Sequence, residues 1–224
     1  MSADLAASAL ARLLNRSRST GENYNLLLSR FVIERLLFRL SVSPHAGSFV
    51  LKGASARLPV QVDIGFGDAI TPAPEFATYP TLLDGMDAPR LRAYPVYTVI
   101  AEKFHAMVEL GINNSRMKDF FDLAVIARTS PLDGGILVEA LHATFARRGT
   151  TLPSSTPIAL TPEFAAAPAK ARQWSAFVNK AQLQAHDLQE VVALLDAFLA
   201  PPTQGAASGQ RFDSKWSPTL RRWT

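Results

Sequence analysis

Cysteine is absent from the chain. Disulfide cross-links and thiolate metal sites are therefore excluded, and cohesion has to come from a packed core. The same absence fits a reducing, cytoplasmic setting. Long apolar runs are missing too: nothing approaches the roughly 20 residues of a membrane-spanning helix, so no membrane partner is expected. Histidine is scarce, and His45, His105, His142 and His186 offer no ligand spacing. Charge of one sign is in short supply. Of the net charge of +4, most sits in residues 203–224, where Arg211, Lys215, Arg221 and Arg222 face Asp213. The rest is nearly neutral, so composition gives only weak support for nucleic-acid binding.

What is present is a sizeable apolar fraction, 48% of 224 residues, enough for one domain with a small appendage. The opening MSADLAASALARLLNRSRS has the Arg, Ser and Leu of a transit peptide. It also carries Asp4 and no cleavage-type apolar stretch, so a first helix over residues 4–15 is expected. A longer helix follows over 22–40, with Tyr24, Leu27, Leu28, Phe31, Leu36 and Leu40 at near 3.6-residue spacing. Arg30, Arg35 and Arg39 lie off that stripe and read as a solvated face or as an RNA-facing surface. Phe49-Val50-Leu51 reads as a short strand, and 57–66 as a longer one. In the latter Val60, Val62, Ile64 and Phe66 share one face, and Asp63 projects from the other. The prolines of 67–95 exclude a long helix there, and 79–83 and 91–94 are candidate edge strands.

The most informative stretch is Tyr94 to Arg128, which reads as two helices joined at Gly111-Ile112-Asn113-Asn114. At about 100° per residue, Thr98, Glu102, His105 and Glu109 gather on a polar arc of the first. Val96, Val99, Ile100, Met107 and Leu110 form an apolar arc, with Lys103 inside it. In the second helix Asp119 projects between Leu123 and Ile126, and Asp122 follows one turn on. A lysine and two carboxylates turned toward a core are costly unless each meets an opposite charge, a phosphate or a metal. Two readings stay open. Lys103 snorkels while Asp119 and Asp122 pair with Arg116 or Lys118, or the three groups form a site in which lysine neutralises phosphate.

C-terminal to these helices, a helix over 135–148 should stop at Gly149, and Thr151 to Pro157 reads as a linker. Thr161-Pro162 and Asp187 read as helix starts, and Pro201-Pro202 as the end of the last helix. Residues 203–224, with Trp216 and Trp223, form a basic tail that either folds back on the body or contacts RNA by stacking.

The run AEKFHAMVELGINNSRMKDFFDLAVIAR resembles the nucleotidyl transferase AbiEii/AbiGii toxin family, of the polymerase-β-like nucleotidyltransferases. The residues that carry the resemblance are Glu102-Lys103 and Lys118-Asp119-Phe120-Phe121-Asp122-Leu123. FVLKGA from Phe49 and RLPVQVDIGFGDAITP from Arg57 add to it. The resemblance implies an α+β fold with a nucleotidyltransferase-like mixed sheet, here truncated, and a mainly helical C-terminal half. It implies a core over 1–150, a helical region over 151–202, and the tail over 203–224. It implies a bacterial toxin–antitoxin or phage-defence protein that moves a nucleotide from NTP to an RNA such as tRNA, or to a protein, with Mg²⁺ as cofactor and an antitoxin as partner.

Carried onto matching positions, Lys52, Gly53 and Lys118 contact phosphate, Lys103 and Asp119 are catalytic, and Asp63 and Asp122 hold metal. One departure stands out. The D-x-D strand expected after the K-G-A turn is missing, as though a segment were deleted near 53–57; a rival alignment makes Asp63-Ile64-Gly65 a degenerate copy of it. Either way one carboxylate is lost, and a two-metal clamp needs more than one. The alternative is therefore an inactive remnant that binds nucleotide or a partner protein.

Overall fold

The computed structural model describes residues 2–50 and 69–224. Lys52, Gly53, Asp63 and the strand expected over 57–66 lie outside the described residues. Phe49 and Val50 are irregular rather than strand. The chain divides into two units, Met1–Gly67 with Pro74–Tyr94, and Asp68–Ala73 with Pro95–Thr224.

In the first unit α1 (Ser2–Thr20) and α2 (Tyr24–Ser41) meet through Leu13 and Leu27, both fully buried. Gly21 has a φ of +74°, which a residue with a Cβ adopts at a cost, and the Asn23 side chain then caps α2 by accepting from Leu26 N–H at 3.2 Å. β1 (Glu75–Thr78) and β2 (Arg90–Ala93) pair antiparallel, with Glu75 opposite Ala93. The strand expected over 79–83 does not form. The N–H of Leu82 donates instead to Glu34 Oε2 at 2.6 Å, and its carbonyl accepts from Arg16 Nη1 at 2.9 Å. With both ladder groups held by side chains, Leu82 cannot pair as a strand residue. Arg35 also departs from the solvated face expected of it. It donates to Glu34 Oε1 at 2.5 Å and to the Asp87 carbonyl at 2.7 Å, while Arg30 and Arg39 remain exposed.

The second unit contains α3 (Val96–Leu110), α4 (Met117–Thr129), β3 (Leu132–Asp133), α5 (Gly134–Arg148), α6 (Pro162–Ala166), α7 (Pro168–Ala181), α8 (Leu188–Ser208), β4 (Lys215–Ser217) and β5 (Arg222–Trp223). Caps set most boundaries. Asp133, Thr161 and Asp187 each accept from the N–H three residues on, and Gly149 ends α5 with a φ of +66°. Phe104, Phe120, Phe145, Phe164 and Phe198 fill one core shared by these helices. The α+β class holds: helix predominates, with two small antiparallel sheets, β1-β2 and β3-β4-β5, among the described residues.

The last helix corrects a sequence expectation. α8 runs through Pro201-Pro202 to Ser208 rather than ending there. Pro202 has no N–H for the carbonyl of Phe198, four residues earlier. That carbonyl accepts instead from the Trp223 indole N–H at 2.9 Å. One residue on, the Leu199 carbonyl accepts from Thr203 Oγ1 at 2.6 Å. Trp216 does similar work at α4, where its indole N–H donates to the Ala127 carbonyl at 2.7 Å, within the final turn. The tail tryptophans are thus built into this unit, and Trp216, 1% exposed, has no face left for stacking on a base.

Gly134 shows how closely this segment packs. A Cβ there would collide with the Phe212 ring and lie 2.6 Å from the Ser214 carbonyl oxygen, whereas one at Gly47 would meet nothing within 4 Å. Gly134→Ala is expected to lower stability by about 1–3 kcal/mol in denaturant melts, the usual scale of overpacking. Gly47→Ala should leave the midpoint unchanged; equal midpoints for both variants would show that the 212–214 segment yields freely.

Candidate functional site

The buried side of α3 is made by Thr98, Ile100, Ala101, Phe104, His105 and Met107. Two residues expected on a polar arc, Thr98 and His105, are therefore inside. Thr98 Oγ1 donates to the Thr71 carbonyl at 2.8 Å and accepts from Thr71 N–H at 3.0 Å. His105 Nε2 lies 2.7 Å from Thr150 Oγ1. Burial pushes the His105 pKa below its ordinary value; Glu109 opposes that shift and Arg148 adds to it. Both residues are internal because a polar partner, remote in sequence, satisfies each one.

Lys103 lies at the rim of that buried side, one turn before Met107, rather than in its middle. Its side chain is 18% exposed. The ammonium donates to Asp119 Oδ1 at 2.6 Å and to Asp122 Oδ2 at 2.7 Å. Asp119 and Asp122 are three apart on α4, so both reach toward the same point. Asp119 is almost fully buried; Asp122 is partly open. Two further cations close the group. Lys118 Nζ donates to Asp122 Oδ2 at 2.5 Å, and Arg116 Nε stands 2.7 Å from Asp119 Oδ2. The Arg116 contact is one of charge: Asp119 Oδ2 is buried and receives no well-aimed hydrogen bond. The pairing of the carboxylates with Arg116 and Lys118 along the helix is present, and the same carboxylates also hold Lys103.

Electrostatics favour a permanently charged Lys103. Burial pulls its pKa down, but hydrogen bonds to Asp119 and then Asp122, with their charges, raise it above the ordinary value. The sign follows. A folded pKa above the unfolded one stabilises the protein fully below the unfolded value of 10.5, and that contribution is lost as pH rises through the higher folded value.

These five side chains, three cations and two carboxylates, carry a net positive charge among themselves. A divalent ion at Asp122 Oδ2 would have to displace two ammonium groups. Among the described residues, no three His, Cys, Asp or Glu side chains gather where they could hold a metal. The described residues by themselves therefore do not make up a Mg²⁺ site. They fit the oxygens of an anion, which Lys103, Lys118 and Arg116 can meet with N–H donors. Lys118 and Arg116 are 63% and 58% exposed, so they are reachable from solvent. Sequence reasoning missed two residues beside this group, Asn114 and Lys170, both buried. Neither carries a local signal, because their contact spans a long stretch of chain.

The model of the nucleotidyl transferase AbiEii toxin family, a type IV toxin–antitoxin system, matches residues 54–200. The matched stretch contains Asp63, Lys103, Lys118, Asp119 and Asp122, and begins just after Lys52 and Gly53. No curated protein and no solved structure gives a significant match. No helix among the described residues is long and apolar enough to cross a membrane.

Proposed function

The chain belongs to the AbiEii nucleotidyl transferase toxin family, and we propose that the group around Lys103 is its nucleotide-phosphate site. One observation carries this reading: a mostly buried ammonium locked by two carboxylates, with two exposed cations beside it, leaving a net positive group. Lys103 would meet triphosphate oxygens and balance charge as it develops, and Asp119 would hold Lys103 in place. Arg116 and Lys118 would collect the outer phosphates.

The reaction is nucleotidyl transfer from NTP to an acceptor hydroxyl, with the 3′ end of an RNA such as tRNA as the favoured acceptor and a protein hydroxyl as the other. The hydroxyl oxygen bonds to the α-phosphorus, the bond from that phosphorus to the bridging oxygen breaks, and pyrophosphate leaves with the electron pair. The hydroxyl proton passes to water. Nucleotidyl transferases in general use NTP and a divalent metal. Lys52 and Gly53 are assigned to phosphate, and Asp63 to metal with Asp122, on resemblance alone; to take that role through Oδ2, Asp122 would have to release Lys103 and Lys118. An antitoxin is the proposed protein partner, and the cytoplasm the proposed location.

A second reading, binding with slow or absent turnover, is favoured by the engagement of both Asp119 and Asp122 with cations. Incubation with each labelled NTP, Mg²⁺ and total tRNA, beside an equilibrium binding assay, separates the two. Labelling that needs Mg²⁺ and is abolished by Asp63→Ala supports transfer. Binding without labelling supports the second reading. Failure to bind any NTP contradicts both.

A further inference from the structure

Among the described residues, Lys170 on α7 is the one buried lysine, 6% exposed. Its ammonium donates to the Asn114 carbonyl at 2.7 Å and stands 4.9 Å from the centre of the Phe164 ring. No carboxylate among the described residues pairs with it, and burial lowers its pKa. An ammonium held this way is an expensive means of filling space. A methionine would fill the same volume without the desolvation cost. The difference between the two is the N–H donor, and that donor is aimed at one peptide.

The peptide is the joint between α3, which carries Lys103, and α4, which carries Asp119 and Asp122. Asn114 is fully buried. Its N–H donates to the Gly111 carbonyl at 3.1 Å, and its Oδ1 accepts from Arg116 N–H at 2.8 Å. Its carbonyl goes to Lys170. Two residues on, Arg116 places its Nε 2.7 Å from Asp119 Oδ2. The contacts thus run Lys170 to Asn114, Asn114 to Arg116, Arg116 to Asp119, and Asp119 to Lys103. A change in the tilt of the Asn114 peptide would move the first turn of α4, and with it both oxygens that receive the Lys103 ammonium.

We propose that Lys170 is a positioning residue for Lys103: by fixing the Asn114 carbonyl, it sets the joint at which both carboxylates reach one ammonium. Its meaning for nucleotide handling rests on the phosphate-site reading above; the positioning does not. The test reads Lys103 without any nucleotide. Isotope-labelled lysine NMR follows hydrogen exchange of the Lys103 ammonium, identified by its disappearance in Lys103→Met. In Lys170→Met the relief of the buried ammonium offsets the lost donor to the Asn114 carbonyl, so the protein is expected to fold and melt near the parent temperature, while Lys103 exchange accelerates about tenfold, the scale of one ordinary hydrogen bond. Lys170→Arg, which keeps a donor, should return exchange toward the parent rate. Unchanged Lys103 exchange in Lys170→Met overturns the proposal. So does a Lys170→Met protein that fails to fold, since Lys170 would then serve cohesion generally. A nucleotide that fails to bind leaves this result standing and removes only the phosphate-site reading.

Discussion

Replacing both Asp119 and Asp122 by alanine is expected to lower folding stability by about 3 kcal/mol in denaturant melts, the low end for a broken buried pair. The low end applies because the Lys103 side chain keeps 18% exposure and can turn partly toward water. Either single replacement should cost less, because Lys103 holds a hydrogen bond to each carboxylate and keeps the other one. Lys103→Met should stay within about 1 kcal/mol of the parent, since an apolar chain of similar length removes the buried ammonium itself. Asp119 then retains Arg116, and Asp122 retains Lys118. Lys103→Met melting well below the double alanine variant would show that the ammonium, rather than its loss of partners, governs stability here.

Trp216→Ala is expected to lower stability by about 3–5 kcal/mol, the range for deleting a large buried aromatic. Trp216 is 1% exposed and packs on Phe198 and Trp223, with ring centres 4.8 and 5.4 Å away. Its loss opens a cavity and frees the Ala127 carbonyl at the end of α4. Trp223→Phe keeps an aromatic ring, smaller than the indole, but removes the donor to the Phe198 carbonyl, and should cost about 1–3 kcal/mol. Calorimetric melts check both. Parent-like melting of Trp216→Ala would mean that residues 215–223 are dispensable to this unit.

Much of the site was legible because its signal is local. Lys103, Asp119 and Asp122 put charge where helix periodicity puts core, and that conflict is relieved when the groups meet. The structure brings Lys103, Asp119 and Asp122 together within hydrogen-bond distance. The helix boundaries at Thr161, Asp187 and Gly149 were equally local, since capping is decided within four residues. The misreadings share a different cause. Thr98 and His105 were placed outside because their partners, Thr71 and Thr150, come from elsewhere in the chain. Pro201-Pro202 was read as a stop because nothing near it shows that Trp223 takes the carbonyl it leaves free. Lys170 and Asn114 were passed over for the same reason. An isolated lysine and a loop asparagine say nothing until the fold sets one against the other.

On the proposed function, the Lys103 group receives nucleotide phosphate. Equilibrium binding of a labelled NTP to the parent protein and to Lys103→Met tests it most directly, because that variant is expected to stay folded. The predicted result is saturable binding to the parent and at least about tenfold weaker binding to Lys103→Met, the worth of one charge-assisted contact. Lys103→Met that binds NTP as tightly as the parent, while melting at the parent midpoint, would contradict the claim.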